Sequence, residues 1–209
     1  MIDINSGSYQ EMKTYKTTRN WKVLANRMEG MNNLEMIEFL MVEGYQMLQG
    51  FEHHLISRAV FVINERIVVK VAKNNCGLEQ NWAEQQVYEQ LQDHQKKHFA
   101  KLYYEQCITG LANFMEKVKP RKGNIKEFNR VYKAGKFKAN RVHNKIGLEL
   151  NITYNEDLRG HHNFGIKNGR LVVLDYGCNM TVKYMYSEAR KKHRPRSRWY
   201  DKNFGLVEL

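Results

Sequence analysis

A lysine inside an otherwise apolar run constrains this chain more than any other feature of its sequence. Lys70 lies within Ile67-Val68-Val69-Lys70-Val71-Ala72, and such a run is typical of a strand that is covered on both faces. An unpaired charge in that position costs on the order of several kcal/mol. Lys70 therefore needs an anionic partner, unless the strand lies at a sheet edge and Lys70 points into water.

A helix predicted from about residue 77 to residue 93 carries the best acidic partner. At 100° per residue, Glu84 falls within the apolar stripe that includes Val87 and Leu91. A carboxylate in that stripe also needs a counter-charge, so pairing Lys70 with Glu84 resolves both problems together. The alternative is a partly exposed Glu84 at the margin of the stripe.

The remaining pattern predicts an α+β chain whose sheet lies mainly in the first half. Residues 1–32 are weakly patterned, and Asn168-Gly169 is a strong signal for a late hairpin within 163–182. The other predicted elements are a helix over 33–48, paired strands over 54–63 and 66–72, strands over 99–106 and 111–118, and a mixed, mostly helical segment over 121–149.

Three oxygen-bearing side chains surround the late hairpin. Asp175 ends an apolar run, Asn163 precedes it by 12 residues across the hairpin, and Asp157 lies six residues before Asn163. Carboxylate and amide oxygens of this kind suit Mg²⁺. Alternatively, Asp175 belongs to a turn that only ends the strand. His161 and His162 are adjacent and make a poor zinc pair, so we interpret them as loop residues or substrate contacts.

The net charge of +12 is concentrated in two segments. Residues 117–145 hold eleven Lys and Arg against one acidic residue, and residues 183–202 hold eight against two. Such segments indicate an anionic partner: nucleotide phosphates, nucleic acid or an acidic protein surface. The second segment ends in aromatic residues, which suits stacking on nucleic-acid bases. The alternative is a solvated basic face.

Composition excludes several classes of protein. The chain has 209 residues, 42% of them hydrophobic and only 2 Pro, which argues against a mainly disordered or Pro-rich protein. No stretch approaches 18 apolar residues, and the N-terminus lacks the pattern of a secretory signal. The three cysteines are far apart, so we expect reduced thiols in a cytoplasm and no zinc site.

Taken in order, these motifs resemble the protein-kinase-like fold, including its aminoglycoside-phosphotransferase branch and small phage kinases. Val69-Lys70-Val71-Ala72 resembles the strand lysine motif, and Glu84 resembles its partner on the following helix. The other three similarities are Phe114-Met115-Glu116-Lys117-Val118 to the segment that joins the lobes, Asp157-Leu158-Arg159-Gly160-His161-His162-Asn163 to the catalytic loop, and Asp175-Tyr176-Gly177 to the D-F-G metal motif.

The resemblance implies a two-lobed fold. Residues 1–118 would form an N-terminal lobe with a leading helix, a mainly antiparallel sheet and the Glu84 helix. Residues 119–209 would form a reduced, mostly helical C-terminal lobe with the catalytic-like loop and the basic tail. The chain would be cytoplasmic, in a bacterial host if a phage encodes it.

The resemblance also implies phosphoryl transfer from ATP. Lys70, oriented by Glu84, would hold the α- and β-phosphates. Asn163 and Asp175 would bind Mg²⁺. Asp157 would orient the acceptor hydroxyl and accept its proton. Most of the catalysis would come from positioning and charge stabilisation.

The remaining nucleotide contacts, by the same resemblance, are backbone groups of Glu116 and Val118 on adenine. No G-x-G-x-x-G precedes Lys70, so Ser57, Arg58 or backbone amides of the hairpin would have to cover the phosphates.

Two further departures concern the second lobe. The step from Asp157 to Asn163 is one residue longer than in the family, and strict spacing would place His162 at the metal position. Only 32 residues follow Gly177, without an A-P-E motif, which leaves little room for a peptide-binding platform.

Three functions are therefore compatible with the sequence. The first is an ATP- and Mg²⁺-dependent phosphotransferase, phage-encoded and acting on a host or phage protein, with AMP transfer as a variant. The second is a pseudokinase that binds and inhibits a host partner. The third is a basic protein that binds nucleic acid through residues 117–145 and 183–202.

Overall fold

The computed structural model describes residues 20–49, 57–120, 163–178 and 180–192. Within these ranges the chain is α+β, with one four-stranded antiparallel sheet, one three-stranded sheet and several helices, which confirms the predicted class. The helices are α1 Trp21–Met28, α2 Asn33–Val42, α3 Asn75–Gln90, α4 Asp93–Lys96 and α5 Met180–Lys192. The strands are β1 Gln46–Gln49, β2 Arg58–Val62, β3 Ile67–Ala72, β4 Ala112–Glu116, β5 Lys119–Pro120, β6 Phe164–Lys167 and β7 Arg170–Val173.

The four-stranded sheet has the order β1-β2-β3-β4, and β3 is buried at every position. Lys70 lies opposite Val60 of β2 and Asn113 of β4. Its strand is therefore central, and the alternative of an edge strand with Lys70 in water is wrong. The predicted hairpin of β2 and β3 is confirmed.

Two apolar clusters cover the two faces of this sheet, because successive residues of β3 point to opposite faces. Val69 packs into a cluster with α1 and α2 that includes Met28, Leu40 and Phe114. Val68 packs into a second cluster with α3 and the β6–β7 hairpin, which includes Val87. A strand covered on both faces explains why its sequence is almost continuously apolar.

The helix predicted over 33–48 ends earlier than expected, at Val42. Gly44 has a φ of 72°, a left-handed conformation that glycine adopts without steric cost. The N–H of Tyr45 donates to the carbonyl of Leu40, which is the pattern that closes a helix at such a glycine. The following residues form the short strand β1, so Leu48 belongs to a strand and not to the helix.

Two other predictions about the first half need correction. The segment 99–106 is not a continuous strand: Phe99 and Leu102 make isolated bridges, and Tyr104–Gln106 is a 3-10 turn. Helix α1 lies within the stretch for which the sequence predicted no element. The segment 121–149 lies outside the described residues.

The late hairpin is confirmed. Strand β6 pairs with β7 around Asn168 and Gly169, whose φ angles of 50° and 69° suit a type I′ turn. The amide of Ala100 donates to the carbonyl of Val173, and the amide of Val173 donates to that of His98. These bonds fix the end of β7 against the segment that follows α4.

Helix α5 begins at Met180, within the range predicted for the hairpin, and packs against α3. Among the helices of the described ranges, none combines the length and apolar character that a membrane span requires.

Candidate functional site

The ion pair between Lys70 and Glu84, predicted from the sequence, is present. Lys70 Nζ lies 2.6 Å from Glu84 Oε1, and the Glu84 side chain is fully buried. Lys70 Nζ also donates to the carbonyl of Leu174, at 2.8 Å. One ammonium group thereby joins the central strand, helix α3 and the end of the late hairpin.

Helix α3 is fixed against the sheet by contacts near its N-terminus. The Asn74 side chain caps the helix by accepting from the amide of Gly77, at 3.0 Å. A Cβ atom at Gly77 would collide with the carbonyl oxygen of Ser57, so glycine permits the close approach of α3 to β2. The Asn81 side chain donates to the carbonyls of Lys70 and Leu111. These contacts set the position of Glu84 one turn further along the helix.

Arg58, to which the sequence assigned no firm role, completes the charge cluster. Its guanidinium forms an ion pair with Glu84 Oε2 at 2.9 Å, and it donates to Asp175 Oδ1 at 2.8 Å and to Asn81 Oδ1 at 3.2 Å. The side chain is only 5% exposed. The observed hairpin register explains its position: Arg58 lies two residues from Val60, which pairs with Lys70, and therefore shares the Lys70 side of the sheet.

Asn113 provides a further hydrogen bond to the buried carboxylate of Glu84. Its amide nitrogen donates to Glu84 Oε2 at 3.0 Å and to the carbonyl of Asn81 at 3.0 Å. Its amide oxygen accepts from Gln85 Nε2 at 2.7 Å. Buried polar groups of this kind rigidify a core when their hydrogen bonds are made.

The cluster therefore contains two cations and two carboxylates in direct contact. We name Arg58, Lys70, Glu84 and Asp175 the charge cluster. Burial raises the pKa of Asp175, but Arg58 and Lys70 outweigh that effect and hold the pKa well below its ordinary value of 3.8. Burial lowers the pKa of Arg58, whereas Asp175 and Glu84 raise it, and the net change is upward. Both shifts favour the charged forms of Arg58 and Asp175 at neutral pH.

Asp175 should give the protein an acid-sensitive stability. Because its folded-state pKa is below the unfolded value, its contribution is present above about pH 4 and is lost as the pH falls toward the folded pKa. The stability difference between wild type and Asp175→Asn should be largest at pH 5 to 7 and shrink toward pH 3. Thermal midpoints across this range would measure it, with the exposed Asp93→Asn as control. A difference that does not change with pH would contradict the assigned titration.

The Asp175-Tyr176-Gly177 segment is anchored beneath α3. Tyr176 is buried, its hydroxyl donates to the carbonyl of Ala100 at 3.2 Å, and its ring meets Phe99 edge-on. A Cβ atom at Gly177 would collide with the carbonyl oxygen of Gln80. The glycine is therefore needed for close packing, and it holds Asp175 beside the helix that carries Glu84.

Gly177→Ala should destabilise the protein by about 1–3 kcal/mol, because neither the backbone of α3 nor that of residue 177 can yield cheaply. Urea denaturation followed by circular dichroism would measure the loss. Ala83→Gly, a change within α3 that introduces no collision, should cost about 1 kcal/mol for helix propensity alone, plus any lost packing. A Gly177→Ala protein as stable as wild type would show that the close approach is not required.

Asn163 lies at the same end of the hairpin as Asp175. Its side chain is buried, and its carbonyl accepts from the amide of Leu174 at 2.8 Å. The chemistry of this pair, one amide and one carboxylate, suits a hard divalent cation. Among the described residues there is no group of three or more His, Cys, Asp or Glu side chains placed to hold a metal. Asp157 and His162 lie outside the described residues.

The other predicted nucleotide contacts lie at strand ends of the four-stranded sheet. Ser57 directly precedes β2, Glu116 ends β4, and Val118 follows β4. The Ser57 hydroxyl hydrogen-bonds to the side chain of Gln80 and lies 2.9 Å from the hydroxyl of Tyr186. Glu116 forms an ion pair with Lys167 at 2.7 Å. Val118 is buried just after β4. The structure thus brings Lys70, Glu84 and Asp175 together, whereas the Glu116 side chain contacts Lys167 of β6 and the amide of Lys101.

Tyr186 brings helix α5 to the edge of the charge cluster. Burial raises its pKa to about 12, although the hydrogen bond with Ser57 and the charge of Arg58 act in the opposite direction. The phenol stays neutral at physiological pH and can act as a hydrogen-bond donor beside the start of β2.

Comparison with models of known protein families finds no match to this chain, and comparison with curated proteins finds none either.

Proposed function

We propose that the chain is an ATP- and Mg²⁺-dependent phosphotransferase with a two-lobed, protein-kinase-like fold. The lobes would divide near residue 118. The observation that supports this best is the contact of Lys70 with both Glu84 and the carbonyl of Leu174, directly before Asp175. A strand lysine, a helix glutamate and a strand-end aspartate lie close together there, and they follow one another along the chain in the order of the motifs that the sequence resembles.

In this proposal Lys70 holds the phosphates of the nucleotide and Glu84 positions Lys70. Glu84 is fully buried and is bound by Asn113 as well, so it provides a fixed anchor. An ammonium group positioned before the substrate arrives stabilises charge without reorganisation. Backbone groups of Glu116 and Val118 would contact the adenine, and Ser57 would lie near the phosphates.

Asp175 and Asn163 would hold Mg²⁺, which neutralises charge on the transferring phosphoryl group when it is bound. Asp157 would orient the acceptor hydroxyl and take its proton. The acceptor would be a protein of the phage or of its bacterial host, in the host cytoplasm. The basic segments 117–145 and 183–202 would attract an acidic surface on that protein.

A thermal-shift titration with ATP tests nucleotide binding directly. A ligand at about 100 times its Kd stabilises the native state by about 2.7 kcal/mol. We expect ATP to raise the melting temperature of the wild type in Mg²⁺ and to have a much smaller effect in EDTA. Asp175→Asn should lose the Mg²⁺-dependent part. Equal shifts with Mg²⁺ and EDTA in the wild type would contradict the metal role of Asp175.

A pseudokinase that binds a partner without phosphoryl transfer is the second candidate. The observation that favours it is the ion pair of Arg58 with Asp175, which occupies an oxygen of the proposed metal ligand. A protein that binds ATP but releases no ADP with any protein fraction of the host would support this candidate. Binding to nucleic acid is distinguished by a steep loss of affinity with salt.

A further inference from the structure

We propose that Arg58 is a counterion that pairs with the carboxylate of Asp175 and competes with a divalent cation for it. This inference rests on the proposed function, in which Asp175 is a metal ligand. In the metal-free protein, Arg58 holds Asp175. Metal binding releases Arg58 from the charge cluster.

The cluster has an inner and an outer half. Glu84 is fully buried, whereas the Asp175 side chain is 32% exposed, so a cation from solvent reaches Asp175 and not Glu84. Arg58 spans the two halves, with one nitrogen on Glu84 and the other on Asp175. Asp175 is therefore the carboxylate at which an exchange of counterions can take place.

The inner half stays satisfied when Arg58 leaves. Glu84 keeps its ion pair with Lys70 at 2.6 Å and its hydrogen bond from Asn113 at 3.0 Å. Lys70 also keeps its bond to the carbonyl of Leu174. Release of Arg58 therefore leaves neither a bare buried carboxylate nor a bare ammonium group, and the exchange avoids the large cost of an unpaired buried charge.

The charges make the two occupants mutually exclusive. The formal charges of the four residues, two positive and two negative, sum to zero while Arg58 is in place. A divalent cation on Asp175 would stand within a few ångströms of the guanidinium, and two cations at that distance repel strongly in a partly buried site. Arg58 must then move. Its guanidinium, with five donors suited to phosphate, can contact the phosphates when a nucleotide accompanies the metal.

Binding of Mn²⁺ alone tests the competition without any nucleotide. We would titrate Mn²⁺ into the wild type and Arg58→Gln, and measure the bound metal by electron paramagnetic resonance. Loss of a charge-assisted competitor should tighten Mn²⁺ by about tenfold or more. Arg58→Gln combined with Asp175→Asn should lose this gain. Arg66→Gln, at an exposed arginine in the turn after β2, is the matched control and should leave Mn²⁺ affinity unchanged.

Mn²⁺ affinity that is equal or weaker in a folded Arg58→Gln protein overturns the proposal. So does the absence of Mn²⁺ binding to both proteins at millimolar concentration. In either case ATP can still raise the melting temperature, so failure of the competition is distinguishable from failure of the nucleotide site.

A measurement on the wild type covers the case in which Arg58→Gln does not fold. Phenylglyoxal modifies accessible arginines, and peptide mass spectrometry locates them. Arg58 should be protected in EDTA and become modified when Mn²⁺ saturates the protein, while Arg66 reacts equally in both. Arg58 that stays protected with Mn²⁺ bound, or that reacts readily in EDTA, contradicts the exchange.

Discussion

Replacing Glu84 with alanine should cost about 3–5 kcal/mol, because Arg58 and Lys70 would each lose their buried carboxylate partner. Domains of this size are stable by only about 5–15 kcal/mol, so the loss would be a fifth or more of the total stability. Urea denaturation followed by circular dichroism would measure the effect. Glu89→Ala, at an exposed position on the same helix, should change stability by less than about 0.5 kcal/mol.

Glu84→Gln separates charge from shape in the same experiment. Glutamine keeps the side-chain volume, and its one amide oxygen can accept from Lys70 or from Asn113 but not from both, because these two donors bind different oxygens of Glu84. The stability loss should therefore be smaller than that of Glu84→Ala. If Glu84→Ala and Glu89→Ala cost the same, Glu84 is not the anchor of the charge cluster.

Replacing Lys70 with methionine should lower ATP turnover by about 100-fold or more while the protein stays folded. The fold survives because Glu84 keeps Arg58 as a counter-charge at 2.9 Å. Methionine also fills much of the volume of the lysine stem. Release of ADP in the presence of host protein fractions would measure turnover, and circular dichroism would verify the fold.

Lys97→Met is the matched control, at an exposed lysine just after α4. It should turn over ATP like the wild type. Equal turnover in wild type and Lys70→Met would rule out the phosphate role of Lys70. Equal losses in Lys70→Met and Lys97→Met would instead indicate a general effect of positive charge, as expected for a protein that binds nucleic acid.

The pairing of Lys70 with Glu84 could be predicted from the sequence because the local pattern around each residue shows that it needs a partner of opposite charge. A lysine in a doubly covered strand and a glutamate in an apolar helix stripe both need a buried counter-charge. The helix follows the strand after two residues, so the partners are close along the chain. Local periodicity and the cost of burial suffice for this inference.

The role of Arg58 could not be predicted in the same way. Its carboxylate partner Asp175 lies 117 residues further along the chain, and its place on the Lys70 side of the sheet follows only from the register of β2 against β3. Moreover, an arginine within a predicted strand is most often exposed. Tertiary contacts, not local pattern, decide its burial.

The end of α2 shows a third kind of limit. The apolar spacing continues through Leu48, but Gly44 in its left-handed conformation ends the helix, and the next apolar residues belong to β1. Apolar residues at helical spacing cannot by themselves distinguish one long helix from a helix followed by a short strand. Gly44 was the available signal, since a glycine after an apolar helical run is a common helix stop.

Labelling with an ATP acyl phosphate tests the nucleotide site most directly, because this reagent acylates the lysine that lies beside bound phosphates. Peptide mass spectrometry should find Lys70 as the main labelled residue, and an excess of free ATP with Mg²⁺ should suppress that label. Labels spread over the lysines of 117–145 and 183–202, with Lys70 unmodified and no protection by ATP, would contradict a nucleotide site at the charge cluster.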